Sequence, residues 1–212
     1  MKLYNYFRSS AAYRVRIALN LKGLPFDYAP IHLVKGEQHA EAYRALNRQE
    51  LVPTLTDGAT VVTQSLAIIE YLDERHPEPP LLPSTPAGRA RVRAIALAIA
   101  CDIHPLNNLR VLRYLTRTLG IAEEAKDAWY RHWIETGLAA LEAQLAAEPA
   151  TGTFCHGDAP TMADICLVPQ LANARRTNVP LEPYPTLTRI EASCRALDAF
   201  GRAAPDRQPD AA

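Results

Sequence analysis

No stretch of this 212-residue chain holds the roughly eighteen consecutive apolar residues that a membrane-spanning helix needs. The opening residues, MKLYNYFRSS, lack the continuous apolar core of a secretion signal, so a cytoplasmic location is expected. Charge of one sign is also missing: Lys+Arg and Asp+Glu both number 23, which gives no reason to expect nucleic acid or an anionic membrane as partner. The 4 cysteines, Cys101, Cys155, Cys166 and Cys194, form no CxxC pair and have no histidine at metal-ligand spacing. They read as reduced, mostly buried thiols, and no metal is expected. Internal repeats and low-complexity blocks are absent as well.

What is present has two different grammars. With 48% hydrophobic residues the chain can bury a proper core. Residues 1 to about 76 alternate between strand-like and helix-like segments. KLYNYF reads as a strand, Ser10 to Lys22 as a helix and FDYAPI as a second strand. EQHAEAYRAL reads as a short helix, VPTLTDGATVVTQ as a hairpin turning at Asp57-Gly58, and SLAIIEYLDERHP as a helix from Ser65 to Pro77. The prolines of PEPPLLPSTP cannot continue a helix or a sheet and mark a linker. Beyond it Val92, Ile95, Ile99, Ile103 and Leu106 form one apolar stripe, a long helix that Pro105 should kink. A second long helix is expected over about Ala122 to Ala147. TMAD is a capping box, with Thr161 as N-cap and Asp164 at N3, and YPTLTRIEASCRAL is a further helix. The segment after Gly201 should be loose. The expected plan is a small α/β domain over residues 1–80 followed by an all-helical domain over residues 87–212.

The stretch NYFRSSAAYRVRIALNLKG places Arg8, Ser9 and Ser10 between the first strand and the first helix. Taken alone, one serine is a helix cap and the other is solvated. Several stretches together say more. LYNYFRSSAAYRVRIALNLKGL, LVPTL, TQSLAIIEYLDE, PLNNLRVL, MADICLVPQLANARR and EPYPTL resemble the zeta class of glutathione S-transferases, in the same order and over most of the chain. The resemblance implies a thioredoxin-like amino-terminal domain, an all-helical carboxyl-terminal domain, glutathione as cofactor and a homodimer.

It also implies roles. Ser9 would donate to the glutathione sulfur, aided by the helix start at Ser10 and Ala11. Val52, before a cis bond to Pro53, would pair with the cysteinyl unit through its backbone. Gln64 and Ser65 would hold the glutamyl end at a helix start, and Gln38 the glycyl end. Asp102 would reach the amine of a neighbouring subunit's glutathione, or simply be a solvated charge. Where this class usually reads Ser-Ser-Cys, this chain has Ser9, Ser10 and Ala11, so glutathione would bring the only sulfur needed.

The activity implied is cis–trans isomerisation of an unsaturated keto diacid, maleylpyruvate in a gentisate-type breakdown route or the one-methylene-longer maleylacetoacetate. The thiolate adds to the double bond, the bond rotates, and the thiolate leaves. A dicarboxylate substrate calls for arginines. Arg8, Arg110 and Arg176 are the candidates, with Asn108 beside Arg110 and His104 as proton shuttle or donor. Most helix arginines and lone histidines are solvated, and three arginines at matched positions favour the clamp. Relatives acting on maleylacetoacetate commonly lack an arginine at the position of Arg110 and carry glutamine at that of His104. A conjugating transferase would prefer an open apolar pocket. A non-catalytic assembly module could lose Ser9, Gln64 and Ser65, all of which are present.

Overall fold

The computed structural model describes residues 1–211, and the chain divides into two compact units. The first contains Met1–Leu81 and the segment from Arg195 onward; the second is Leu82–Cys194. The junction lies inside the proline-rich stretch.

In the first unit the elements are β1 (Lys2–Asn5), α1 (Ser10–Leu21), β2 (Asp27–Pro30), α2 (Glu41–Leu46), β3 (Thr54–Asp57), β4 (Thr60–Thr63) and α3 (Ser65–Arg75). The four strands lie in the order β2-β1-β3-β4. β1 runs parallel to β2 and antiparallel to β3, with Leu3 opposite both Tyr28 and Leu55. Leu3 and Leu55 are fully buried, so the central pair points one row of side chains into the core. Asp57 and Thr60 pair across the β3–β4 turn, where Gly58 takes the positive φ of 58° that glycine tolerates best. This is the thioredoxin-like arrangement. The expected helix over EQHAEAYRAL is instead a 3₁₀ turn, Glu37–His39, and then α2, because Ala40 between them is extended.

α1 is buried almost all round. Even Arg14 and Arg16 are only 1% exposed. Arg16 spends its donors on Ala203 O at 3.0 Å, Asn5 Oδ1 at 2.9 Å and Phe7 O at 3.1 Å. Desolvation on burial lowers its pKa to about 10. The linker is tied down too. Buried Lys22 pairs with Asp73 at 2.9 Å and donates to the carbonyls of His76 and Pro79 at 2.6 and 2.8 Å.

The expectation of a loose segment after Gly201, grouped with the helical domain, needs correction. α9 (Asp198–Arg202) and the residues after it pack with the first unit. Phe200 is fully buried, and such a ring contributes about 1.5–3 kcal/mol. Tyr13 Oη and Asn20 Nδ2, both on α1, donate to Phe200 O and Ala199 O.

The second unit is helical. It contains α4 (Pro86–Leu97), α5 (Leu109–Arg113), α6 (Glu123–Ala147), α7 (Met162–Arg176) and most of α8 (Pro185–Arg195). The long kinked helix expected through Pro105 is not continuous. After α4 comes a π-helical turn, Ala98–Ile103, then a 3₁₀ turn, Pro105–Asn107, and a new start at Asn108. Proline has no N–H for the ladder, and the wide turn before it lets the chain restart in another direction. Gly137 on α6 faces that turn so closely that a Cβ would lie 2.3 Å from the Ile103 side chain. The capping box forms as the sequence predicts. The Asp164 carboxylate, fully buried, accepts from Thr161 N at 2.7 Å, Thr161 Oγ1 at 2.8 Å and Cys155 N at 2.7 Å. Among the described residues no helix is long and apolar enough to cross a membrane, and no cluster of His, Cys, Asp and Glu could hold a metal.

Candidate active site

Ser9 is the N-cap of α1, and its Oγ accepts the Ala12 N–H at 3.2 Å. A hydroxyl has two acceptor positions and one proton, so the capping bond leaves the O–H free to donate. The first N–H groups of α1 have no partner inside the helix and add positive potential at the same place. Ser10, the first residue of α1, is buried, and Ala11 follows it at the helix start. Arg8 is exposed, with its guanidinium 5.1 Å from the centre of the Phe7 ring.

The peptide bond Val52-Pro53 is cis. Leu51 O, just before it, accepts from Tyr43 Oη at 2.5 Å and from Asn47 Nδ2 at 2.8 Å, and both side chains also reach Thr54 Oγ1. This brace fixes the turn. The backbone N–H and C=O of Val52 pair with nothing among the described residues, as an unfilled strand edge does.

α3 begins at Ser65, as the sequence predicts, and Gln64 is its N-cap. It sits at φ 72°, a region side chains other than glycine and asparagine rarely adopt. Such strain is a marker of functional turns. Its Nε2 donates to Gln49 Oε1 at 2.8 Å. Ser65 Oγ accepts from Arg14 Nη1 at 3.3 Å. The sequence reading missed Arg14. Its place within the apolar run of α1 was the available signal. It sets a buried cation beside the start of α3. Gln38 is buried, with Nε2 3.0 Å from His39 Nε2 and Oε1 unpaired. Next to it a cavity of about 600 Å³ is lined by His39, Glu41, Arg44, Ala45 and Arg48. Glu50 pairs with His39 at 2.6 Å and with Arg44 at 2.9 Å, so two of these lining residues already have a carboxylate partner.

In the second unit Asp102 is exposed on the π-helical turn, and His104 is half-buried between that turn and the next. Asn108 caps α5, its Oδ1 accepting from Arg110 N at 3.1 Å, which leaves its Nδ2 to donate elsewhere. Arg110 is exposed. Arg176, in the last turn of α7, donates through Nη2 to Tyr130 Oη at 3.0 Å. Two further bonds join the Leu106–Asn107 turn to α6: Asn107 Nδ2 to Tyr130 O at 3.0 Å and Trp129 Nε1 to Leu106 O at 2.9 Å. Tyr130 therefore links Arg176 with the turn that leads to Asn108 and Arg110. Burial raises the Tyr130 pKa, against the opposing pull of Arg176, and the phenol stays neutral.

Comparison with known proteins agrees with the architecture of a thioredoxin-like unit followed by a helical one. The glutathione S-transferase amino-terminal domain matches residues 3–80, and the glutathione S-transferase carboxyl-terminal domain matches residues 123–199. The chain belongs to the glutathione S-transferase family. Within it, the chain is 53% identical to a maleylpyruvate isomerase of a Ralstonia species, over 100% of both chains. It is also 53% identical to a probable maleylacetoacetate isomerase of Vibrio cholerae, over 99% of this chain and 97% of that one. Among solved structures, a holo maleyl pyruvate isomerase, a bacterial zeta-class glutathione S-transferase, matches with a TM-score of 0.98 at 53% identity over 100% of both chains. The maleylacetoacetate isomerase of Methylobacterium extorquens AM1, with bound malonate and glutathione, matches with a TM-score of 0.98 at 44% identity, again over 100% of both. The chain is thus a zeta-class transferase of the isomerase type.

Proposed function

We propose that this transferase converts maleylpyruvate to fumarylpyruvate with glutathione as cofactor. The observation that carries the reading is Ser9: it caps α1 and keeps its proton free at a helix start. The unpaired backbone of Val52 and the helix start at Gln64 and Ser65 fit an extended γ-glutamyl tripeptide. Bound there, glutathione supplies a thiolate that adds to the activated double bond and later leaves it.

The chain's own residues do the rest. Ser9 Oγ–H and the N–H groups of Ser10 and Ala11 hold the negative sulfur. Val52 pairs with the cysteinyl backbone. The start of α3, with Gln64, Ser65 and the buried Arg14 behind it, holds the glutamyl carboxylate. Gln38 holds the glycyl end, and Asp102 the amine of a partner subunit's glutathione. Arg8, Arg110 and Arg176 take the substrate carboxylates and the carbonyl oxygen on which negative charge grows. Asn108 Nδ2 donates to a substrate oxygen, and His104 donates or moves a proton. The protein needs no cysteine of its own. Ala11 stands at the class's usual cysteine position, and Cys155, Cys166 and Cys194 are buried. The reading includes a homodimer, a cytoplasmic location and a step of gentisate-type aromatic breakdown.

Maleylacetoacetate is the second reading, favoured by the equal 53% identity to the Vibrio protein. One methylene discriminates by only about 1–3 kcal/mol. Following free thiol during turnover tests the isomerase reading itself. Constant thiol while the cis isomer disappears is expected; thiol consumed one for one would make the protein a conjugating transferase.

A further inference from the structure

The turn that carries Arg8 and Ser9 is held by side chains rather than by strand pairing. β1 stops at Asn5. Ser9 N closes the turn on Tyr6 O at 2.9 Å. Arg16 Nη2 donates to Phe7 O at 3.1 Å, and Arg16 Nη1 reaches Tyr6 O at 3.5 Å. Phe7 N–H, in the middle of the turn, donates to Asp210 Oδ2 at 3.1 Å. Asp210 comes from 203 residues along the chain, and its other oxygen accepts the hydroxyl of Tyr28 on β2. The segment bearing it is fixed further back, where Arg16 Nε donates to Ala203 O at 3.0 Å and Gln208 Nε2 donates to Arg202 O and Ala204 O at 2.9 and 2.8 Å.

We propose that Asp210 is a positioning residue for Ser9: its carboxylate, clasped by Phe7 N–H and Tyr28 Oη, fixes the turn that aims the Ser9 hydroxyl at the glutathione sulfur. The proposal rests on the role given to Ser9 above. Two features suit Asp210 to the task. A carboxylate has two oxygens, so one can hold the turn while the other is held by the sheet. A carboxylate is a stronger acceptor than a neutral oxygen for both donors, and the Arg16 guanidinium interacts with Asp210, Tyr28 and Tyr13 together. Asparagine would keep an acceptor for Phe7 N–H but present Nδ2 to Tyr28, so the phenol would have to turn from donor to acceptor and the charge would be lost.

The test uses the full chain with Asp210→Ala, Asp210→Asn, Tyr28→Phe and, separately, Ser9→Ala. The readouts are the pH at which bound glutathione gains thiolate ultraviolet absorbance, the melting temperature, and kcat/KM against pH. Asp210→Ala should raise the apparent thiol pKa by about one unit, a tenfold loss of thiolate below it. It should lower kcat/KM there by about tenfold, and activity should return at higher pH. Asp210→Asn should give a smaller shift in the same direction, and it stands in for the alanine variant if that one folds poorly. Tyr28→Phe keeps the Phe7 bond and should shift least. A shift in Ser9→Ala with none in either Asp210 variant overturns the proposal and leaves Ser9 in its role. No shift in any variant defeats the reading of Ser9, and the proposal with it. A shift in the Asp210 variants alone contradicts the route through Ser9.

Discussion

Arg176 and Tyr130 form one unit: Nη2 donates to the phenol oxygen at 3.0 Å, and the guanidinium carbon lies 5.9 Å from the ring centre. The pair orients an exposed cation at the end of α7 without neutralising it. Arg176→Ala should lower kcat/KM at least tenfold, about 1.4 kcal/mol of transition-state binding, with glutathione affinity unchanged. Tyr130→Phe keeps the ring and loses only the hydroxyl, so a smaller loss, mostly in KM for the diacid, is expected. Steady-state kinetics with each substrate varied in turn decide this. An Arg176→Ala loss under threefold would remove Arg176 from the clamp.

Ser9→Ala removes both a cap and a donor. The cap accounts for about 1 kcal/mol of stability, readable by denaturant titration. Loss of the donor should cost far more in activity and should raise the thiol pKa of bound glutathione. Ser9→Asn restores a capping acceptor without the hydroxyl. Recovered stability without recovered activity would separate the two roles.

How far these residues were legible in the sequence depended on the range of their interactions. The Thr161–Asp164 capping box spans three residues and was readable directly. The cis bond at Val52-Pro53 came from resemblance rather than from pattern. Pro105 signalled a break, but nothing local distinguished a kink from a π-helical turn followed by a fresh start at Asn108. Arg14 and Arg16 carry charge in a helix whose apolar residues were easy to see. Their burial depends on acceptors at Ser65, Asn5 and Ala203, brought in by the fold. The segment after Gly201 looked loose because Asp210 finds Phe7 and Tyr28 only in three dimensions.

Cysteine reactivity follows from burial. Cys101 is exposed, while Cys155, Cys166 and Cys194 are buried. Desolvation raises the Cys155 and Cys194 pKa values and keeps both as thiols. Alkylation of the native protein should label Cys101 alone, as mass spectrometry will show. Cys101→Ser should keep full isomerase activity, since no protein sulfur takes part.

A pH effect is expected from Glu148. Its carboxyl is held below the usual range, first by the Gln144 amide at 3.0 Å and then by Arg91 Nε at 2.6 Å. A lowered folded pKa adds stability that is present above the unfolded value and lost as pH falls through the folded one. Unfolding free energy measured across the acid range should therefore slope less in Glu148→Gln than in the parent.

The most direct measurement sets maleylpyruvate against maleylacetoacetate with the purified protein, each with and without glutathione, followed by absorbance. Glutathione-dependent isomerisation with higher kcat/KM for maleylpyruvate is the predicted result. A preference for maleylacetoacetate would contradict the substrate assignment. No isomerisation of either would contradict the account of the arginines and of Ser9 together.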